Sequence, residues 1–185
     1  MQIKNLLEWQ YDNIPVHRIE HMQRTAIVAE ELATIHDLNA EKAYLAGLMH
    51  DIAKDKSDDD LLKISMQHNL INHQEEKDAP HLLHGQVGSY ILANSLNFTD
   101  KDILFTISWH TTGHYNYKDW AWATFLADKL EPQKIEENNA LKPILSTAKN
   151  SLVDAVKEFI IWRLKQREDM NKIIHPMSAE ILKKI

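Results

Sequence analysis

The chain has 185 residues, 44% of them hydrophobic, with 21 Lys and Arg against 27 Asp and Glu and a net charge of −6. That composition suits one ordinary core and excludes the basic field that gathers a nucleic-acid backbone or an anionic membrane. No cysteine is present, so disulfides and thiolate ligands are excluded, and a metal site must draw on the 11 His and the carboxylates.

Residues 1–10 lack the continuous apolar stretch of a secretion signal, and the longest apolar run, 121–127, is too short to span a bilayer. A cytosolic protein with one domain over 1–185 is expected. With only 4 Gly and 5 Pro, and apolar residues recurring three and four apart, the pattern predicts an all-α fold without strands. The first predicted helix covers 16–36, where Thr25, Val28 and Leu32 follow His21 on one face. A second runs over 40–54 behind the N-cap Asn39, with Leu45, Leu48, Met49 and Ile52 as core candidates. Ser57 opens a third, since Asp58, Asp59 and Asp60 suit the positive end of a helix dipole. Residues 73–80 read as a polar connection. Further helices are predicted over 83–95, 100–110, 117–130, 144–148 and 152–167, with no repeat or linker dividing them.

His50 and Asp51 stand in the apolar segment A-Y-L-A-G-L-M-H-D-I-A-K. A buried, unpaired carboxylate costs several kcal/mol, so a cation is a natural partner. Lys54, one turn on, offers the plainer alternative of an ion pair beside a core histidine, and the dipeptide alone fits that reading better. Asp128 ends A-W-A-T-F-L-A-D and poses the same question more sharply. His110 closes a helix before T-T-G, where Gly113 is expected at positive φ; taken alone it reads as a complement to the helix dipole. His84 precedes Gly85 at a helix start, a place that suits a phosphate or a metal-bound oxygen. His36, His68, His73, His81 and His114 read as surface residues. Trp9 and Trp162 are candidates for a homodimer surface, although tryptophan at helical spacing is more often core.

The order His21, His50-Asp51, His84, His110, Asp128, each on its own helical segment, resembles the HD superfamily of phosphohydrolases. Within it the chain is similar to the YqeK family, the symmetrical bis(5′-nucleosyl)-tetraphosphatases. The motifs that carry the resemblance are H-R-I-E-H at 17–21, G-L-M-H-D-I-A-K at 47–54, L-L-H-G-Q-V-G at 82–88, H-T-T-G at 110–113, A-D-K-L-E-P at 127–132 and I-H-P at 174–176. Two departures stand out. Lys134 stands two residues after E-P, where the family usually has arginine, which keeps the charge but loses the bidentate grip on phosphate. The asparagine common shortly after I-H-P is also missing.

The resemblance implies a single-domain HD helical bundle that hydrolyses diadenosine tetraphosphate to two ADP with a metal-activated water. It implies His21, His50, Asp51 and Asp128 as ligands of a divalent ion, a mixed set that suits iron, manganese or zinc better than magnesium. His84 and His110 either contact the phosphates or complete a second metal position with Asp51 as the bridge. Asp51, Lys54, His84 and His110 are the implied catalytic group; Arg18, Lys54, His84, His110, Thr111, Lys134, Ile174 and Pro176 are the implied contacts to a dinucleoside polyphosphate or an ADP-like nucleotide. The alternatives are another HD-type hydrolase, acting on a nucleoside monophosphate or a guanosine polyphosphate, and a helical nucleotide-binding module without catalysis.

Overall fold

With so few glycines, the chain turns its corners on other residues. Asp37, Asn69, Asn97 and Asn171 adopt left-handed φ of 54°, 54°, 54° and 50° shortly after helices end, a conformation that short polar side chains tolerate. Gly113, at φ 76°, is the glycine used this way, as expected.

The computed structural model describes residues 3–185, and among them there are helices and connections but no strands. The helices are α1 (Ile3–Asn13), α2 (Val16–Ile35), α3 (Ala40–Met49), α4 (Asp58–Gln67), α5 (Gln74–Asp78), α6 (His84–Asn94) and α7 (Lys101–Trp109). They continue with α8 (Asp119–Leu130), α9 (Pro132–Glu137), α10 (Lys142–Ala148), α11 (Leu152–Asp169) and α12 (Pro176–Lys184), and 3-10 turns occupy Pro80–Leu83 and Asn139–Leu141. The expected caps form: Asn39 accepts from Lys42 N at 2.9 Å, and Ser57 from Asp60 N at 3.1 Å.

The centre is a three-helix packing of α2, α3 and α8. Small residues line it: Ala26, Ala29 and Ala33 on α2, Ala43 and Ala46 on α3, and Ala121, Ala123 and Ala127 on α8 are all fully buried. A Cβ on Gly47 would lie 2.8 Å from Ala26 Cα, so α3 touches α2 backbone to backbone. This close approach brings side chains near the helix ends within reach of one another. Helices α6 and α7 pack as a pair beside this centre, and α4 with α6 and the first 3-10 turn encloses a smaller cluster of Ala53, Leu61, Leu83 and Val87. On the other side α10 and α11 pack on α8, and α12 packs on α11.

Five stretches differ from expectation. Helix α3 stops at Met49 and not at 54, because its last carbonyls find other donors: Gly47 O accepts from His50 Nδ1 at 2.8 Å and Leu48 O from Gln10 Nε2 at 2.7 Å. The polar connection 73–80 holds the short helix α5 and a buried Glu76. Helices α1, α9 and α12 were not anticipated; the latter two begin on Pro132 and Pro176, which are pre-set for a first helical turn. Among the described residues no helix is long and apolar enough to cross a membrane.

Candidate metal centre

Three histidines reach the centre by the same local device. His50 follows α3, His110 follows α7, and His84 follows the first 3-10 turn, each as a C-cap residue. Each ring turns Nδ1 back to the carbonyl three residues earlier: His50 to Gly47 O at 2.8 Å, His84 to His81 O at 2.5 Å, His110 to Ile107 O at 2.8 Å. A carbonyl can only accept, so each Nδ1 carries the hydrogen and each neutral ring offers a bare Nε2. The helix-end role expected of a lone histidine therefore uses one end of the ring and leaves the other able to ligate a metal.

The bare nitrogens converge. His84 Nε2 and His110 Nε2 lie 2.9 Å apart, and they approach Asp51 Oδ1 at 3.1 and 3.3 Å. The other Asp51 oxygen, Oδ2, faces His50 Nε2 at 3.7 Å and His21 Nε2 at 3.9 Å. Asp128 Oδ1 lies 3.1 Å from His21 Nε2 and 3.4 Å from His50 Nε2. Side chains of α2, α6 and α8 and of the turns that follow α3 and α7 thus meet, and Asp51 stands between two histidine pairs.

The two buried carboxylates of this centre call for positive partners. Burial opposes ionisation of Asp51 and Asp128, yet the surrounding histidines, and Lys129 beside Asp128, hold both well below the usual carboxylate range. Burial pushes His110 down to about 3. Burial also opposes a charged His21, but bonds to Asp128 and Glu131 outweigh it and raise this ring to about 9. A proton on His21 is one answer to the carboxylates; a divalent cation is the other. The cation answers more, because the buried His50 Nε2 has no hydrogen-bond partner and the His84 and His110 nitrogens oppose each other without a proton. The donor set of imidazoles and carboxylates fits such an ion, and the ligand-capable triads His21-His50-Asp51, His50-His110-Asp128 and Asp51-His84-His110 share members.

A family model described as "HD domain" matches residues 18–143, which takes in all of these residues. The chain belongs to the HD-domain family. Among relatives, it is 30% identical to a protein of Halalkalibacterium halodurans named symmetrical bis(5′-nucleosyl)-tetraphosphatase, over 86% of this chain and 84% of that one. A Staphylococcus aureus protein of the same name is 30% identical over 71% of this chain and 68% of its own. A Mycoplasma genitalium protein named probable nicotinate-nucleotide adenylyltransferase/Ap4A hydrolase is 35% identical over 65% of this chain, a match that spans only 33% of that longer protein. In fold, the chain superposes with a TM-score of 0.92 on a Clostridium acetobutylicum crystal structure described as a predicted HD superfamily hydrolase involved in NAD metabolism, at 24% identity, covering 100% of this chain and 96% of that one.

The HD-domain centre opens into a cavity of about 390 Å³. Of the residues expected to contact nucleotide, Arg18, Lys54, His84, His110, Thr111, Lys134 and Ile174 line it; Pro176 opens α12 and does not. Arg18 reaches Asp51 Oδ2 at 2.9 Å and Asp55 Oδ2 at 3.1 Å. Lys54 does not pair with Asp51: among the described residues it has no carboxylate at ion-pair distance, and burial lowers its pKa.

The sequence reading missed several residues of this HD-domain protein. Glu131, fully buried, faces His21 Nδ1 at 3.3 Å and accepts from Arg24 Nε at 2.7 Å. Lys129 contacts Asp128 and donates to His110 O at 3.2 Å. Trp162, Arg163, Arg167 and His175 also line the cavity. The run D-K-L-E-P held a signal for Glu131, an acid directly before Pro132 that closes α8 three residues after Asp128 and caps α9. Two expectations need correction. Of the five histidines read as surface, only His81 is exposed; His114 is buried against Trp109 and Phe105, with ring centroids at 4.9 and 4.8 Å. Trp9 and Trp162 are partly buried against the core and are not an exposed aromatic surface.

Proposed function

We propose that this HD-domain hydrolase cleaves diadenosine tetraphosphate symmetrically to two ADP, in the cytoplasm, with the whole of 1–185 acting as one domain. The observation that carries the reading is the bridging placement of Asp51, one oxygen toward His21 and His50 and the other toward His84 and His110, at the floor of a cavity rich in cations. The relatives named for this activity share 30% identity over most of the chain and support it.

His21, His50, Asp51 and Asp128 would hold one divalent ion; Asp51, His84 and His110 would hold a second. Iron fits this nitrogen and oxygen set, with manganese or zinc as substitutes. Bound there, such ions supply Lewis acidity toward a phosphoryl oxygen and lower the pKa of water from ~16 toward about 7.

The chain's own groups do the rest. Arg18 and Lys54 face the cavity and neutralise charge on the equatorial oxygens of the phosphorus under attack. Thr111 Oγ1, 3.4 Å from His84 Nε2 and 3.5 Å from His110 Nε2, is placed to donate to a phosphate oxygen at the same spot. Glu131 fixes the His21 tautomer by accepting from Nδ1, which leaves Nε2 as the ligand atom. The test is incubation of the protein with diadenosine tetraphosphate and ferrous or manganese ion, followed by chromatography. Two ADP per substrate is the expected result; ATP plus AMP, or no turnover, would refute the assignment.

A further inference from the structure

Helix α11 lies beyond the stretch 18–143 that matches the HD-domain model, yet Trp162, Arg163 and Arg167 from it line the same cavity as the metal centre. Most other cations there are already engaged. Arg18 pairs with Asp51 and Asp55, Lys129 with Asp128, and Lys134 with Glu137 at 3.6 Å. Among the described residues neither Arg163 nor Arg167 has a carboxylate at ion-pair distance.

These two guanidinium groups are four residues apart on one helix, so they share a face, where like charges repel. The strain is visible in Arg167, whose pKa is lowered by burial and by Arg163. Arg167 is also anchored: its Nε donates to Ile173 O at 2.6 Å, which leaves the terminal amino groups of the fork unclaimed. Next to Arg163 on the same helix, Trp162 packs against Phe159 with ring centroids 5.7 Å apart and, with Leu141 and Ile174, gives the cavity an apolar wall.

Two unneutralised guanidinium groups, the exposed Arg163 and the anchored Arg167, beside an aromatic wall make a receptor for a phosphate chain that ends in a base. From this we infer that α11 is a second nucleotide subsite: Arg163 and Arg167 grip the phosphates of the half of the substrate distal to the metal centre, and Trp162 supports its base. This rests on the reading of the substrate as a dinucleoside polyphosphate. It gives the HD-domain centre, which supplies the chemistry, a separate element that selects substrates with a second nucleotide.

The experiment uses the full chain loaded with manganese and compares the wild type with Arg163→Ala and with Arg163→Ala/Arg167→Ala. Steady-state hydrolysis of diadenosine tetraphosphate is expected to show KM raised about tenfold or more in the double variant with kcat within about twofold, and partial rescue by Arg163→Lys/Arg167→Lys. Calorimetric binding of inorganic tripolyphosphate needs no turnover and is expected to weaken by about the same factor. Among the described residues Arg163 makes no hydrogen bond or ion pair that Arg163→Ala would sever, so this variant should weaken binding in the same direction even if Arg167→Ala loosens the 170–175 connection. Tripolyphosphate binding equal to wild type in the double variant would overturn the subsite. Failure of the wild type to release ADP would overturn the proposed function alone, since the binding comparison would still decide the role of α11.

Discussion

His84 and His110 hold their Nε2 atoms 2.9 Å apart, although both rings already donate their Nδ1 hydrogens to the carbonyls of His81 and Ile107. Two neutral imidazoles in that tautomer confront each other lone pair to lone pair, with Asp51 Oδ1 as a third acceptor. Among the described residues only the Thr111 hydroxyl lies near, at 3.4 and 3.5 Å, and one hydroxyl hydrogen cannot satisfy all three acceptors. A divalent ion removes the conflict at once, and its binding free energy is then folding free energy.

Metal should therefore stabilise the protein strongly. At a hundredfold excess over its dissociation constant an ion contributes about 2.7 kcal/mol, which for a chain of this size is a rise in Tm of roughly 5–10 °C. Chelator-treated protein melted with and without added manganese checks this. His110→Ala should cut the metal content of purified protein by about half, and Asp128→Asn should remove metal and turnover together. Wild-type metal content in both variants would refute the ligand assignment.

Glu131 acts through His21. Replacing it with Gln keeps the shape but removes the charge that both His21 and Arg24 face, at 3.3 and 2.7 Å. The carboxylate is held at a pKa of about 2, because these two partners outweigh its burial, so it is ionised at any working pH. Glu131→Gln should weaken metal binding by roughly 10–100-fold. Saturating metal should restore most of the turnover, which separates this effect from the loss of a ligand.

Without metal, stability should depend on pH through His21. Its pKa in the folded chain, about 9, exceeds the ordinary 6.5, so the folded state holds the proton more tightly. The resulting stabilisation is fully present below pH 6.5 and is lost as pH rises through 9, on the order of a few kcal/mol. Denaturant melts of chelated protein across that window should show the fall. Metal-loaded protein should not, because a ligating His21 is already deprotonated.

Much of this was legible in the sequence for definite reasons. The periodic helices and their caps at Asn39 and Ser57 follow from local rules. The positions His21, His50, Asp51, His84, His110 and Asp128 could be picked out by their order along the chain and the family resemblance it carries, whereas His50-Asp51 and His110 taken singly read as structural. What escaped was non-local. Glu76 looked like one more acid in a polar connection, yet it is buried and accepts from Gln86 Nε2 at 2.7 Å and from the backbone N–H of Asn72 and His73 at 2.6 and 3.0 Å. The end of α3 at Met49 depends on Gln10, 38 residues away from Leu48. Arg163 and Arg167 sit on a helix whose alternation reads as an ordinary solvated face until α12 folds beside it.

Glycines close to the ligands offer a test that touches no ligand. A Cβ on Gly85 would lie 2.7 Å from Ser108 O and 2.8 Å from Ile107 O, both backbone atoms that cannot swing aside. Ile107 O is the acceptor that fixes the His110 ring, so Gly85→Ala must push the end of α7, and His110 with it, away from His84. The overpacking should cost roughly 1–3 kcal/mol of stability, and metal binding should weaken although every ligand is intact. Gly88 lies in the same helix, but a Cβ there would meet Ile52 Cγ1 at 3.4 Å, Ala53 Cβ at 3.8 Å and His50 O at 3.9 Å, all ordinary van der Waals contacts. Gly88→Ala should accordingly leave metal content unchanged and stabilise α6 by up to about 1 kcal/mol through reduced backbone entropy in the unfolded chain. Denaturant melts and metal analysis of the two variants side by side distinguish close backbone contact from mere helix propensity: equal effects would mean that α6 and α7 do not hold His84 and His110 against each other in this way.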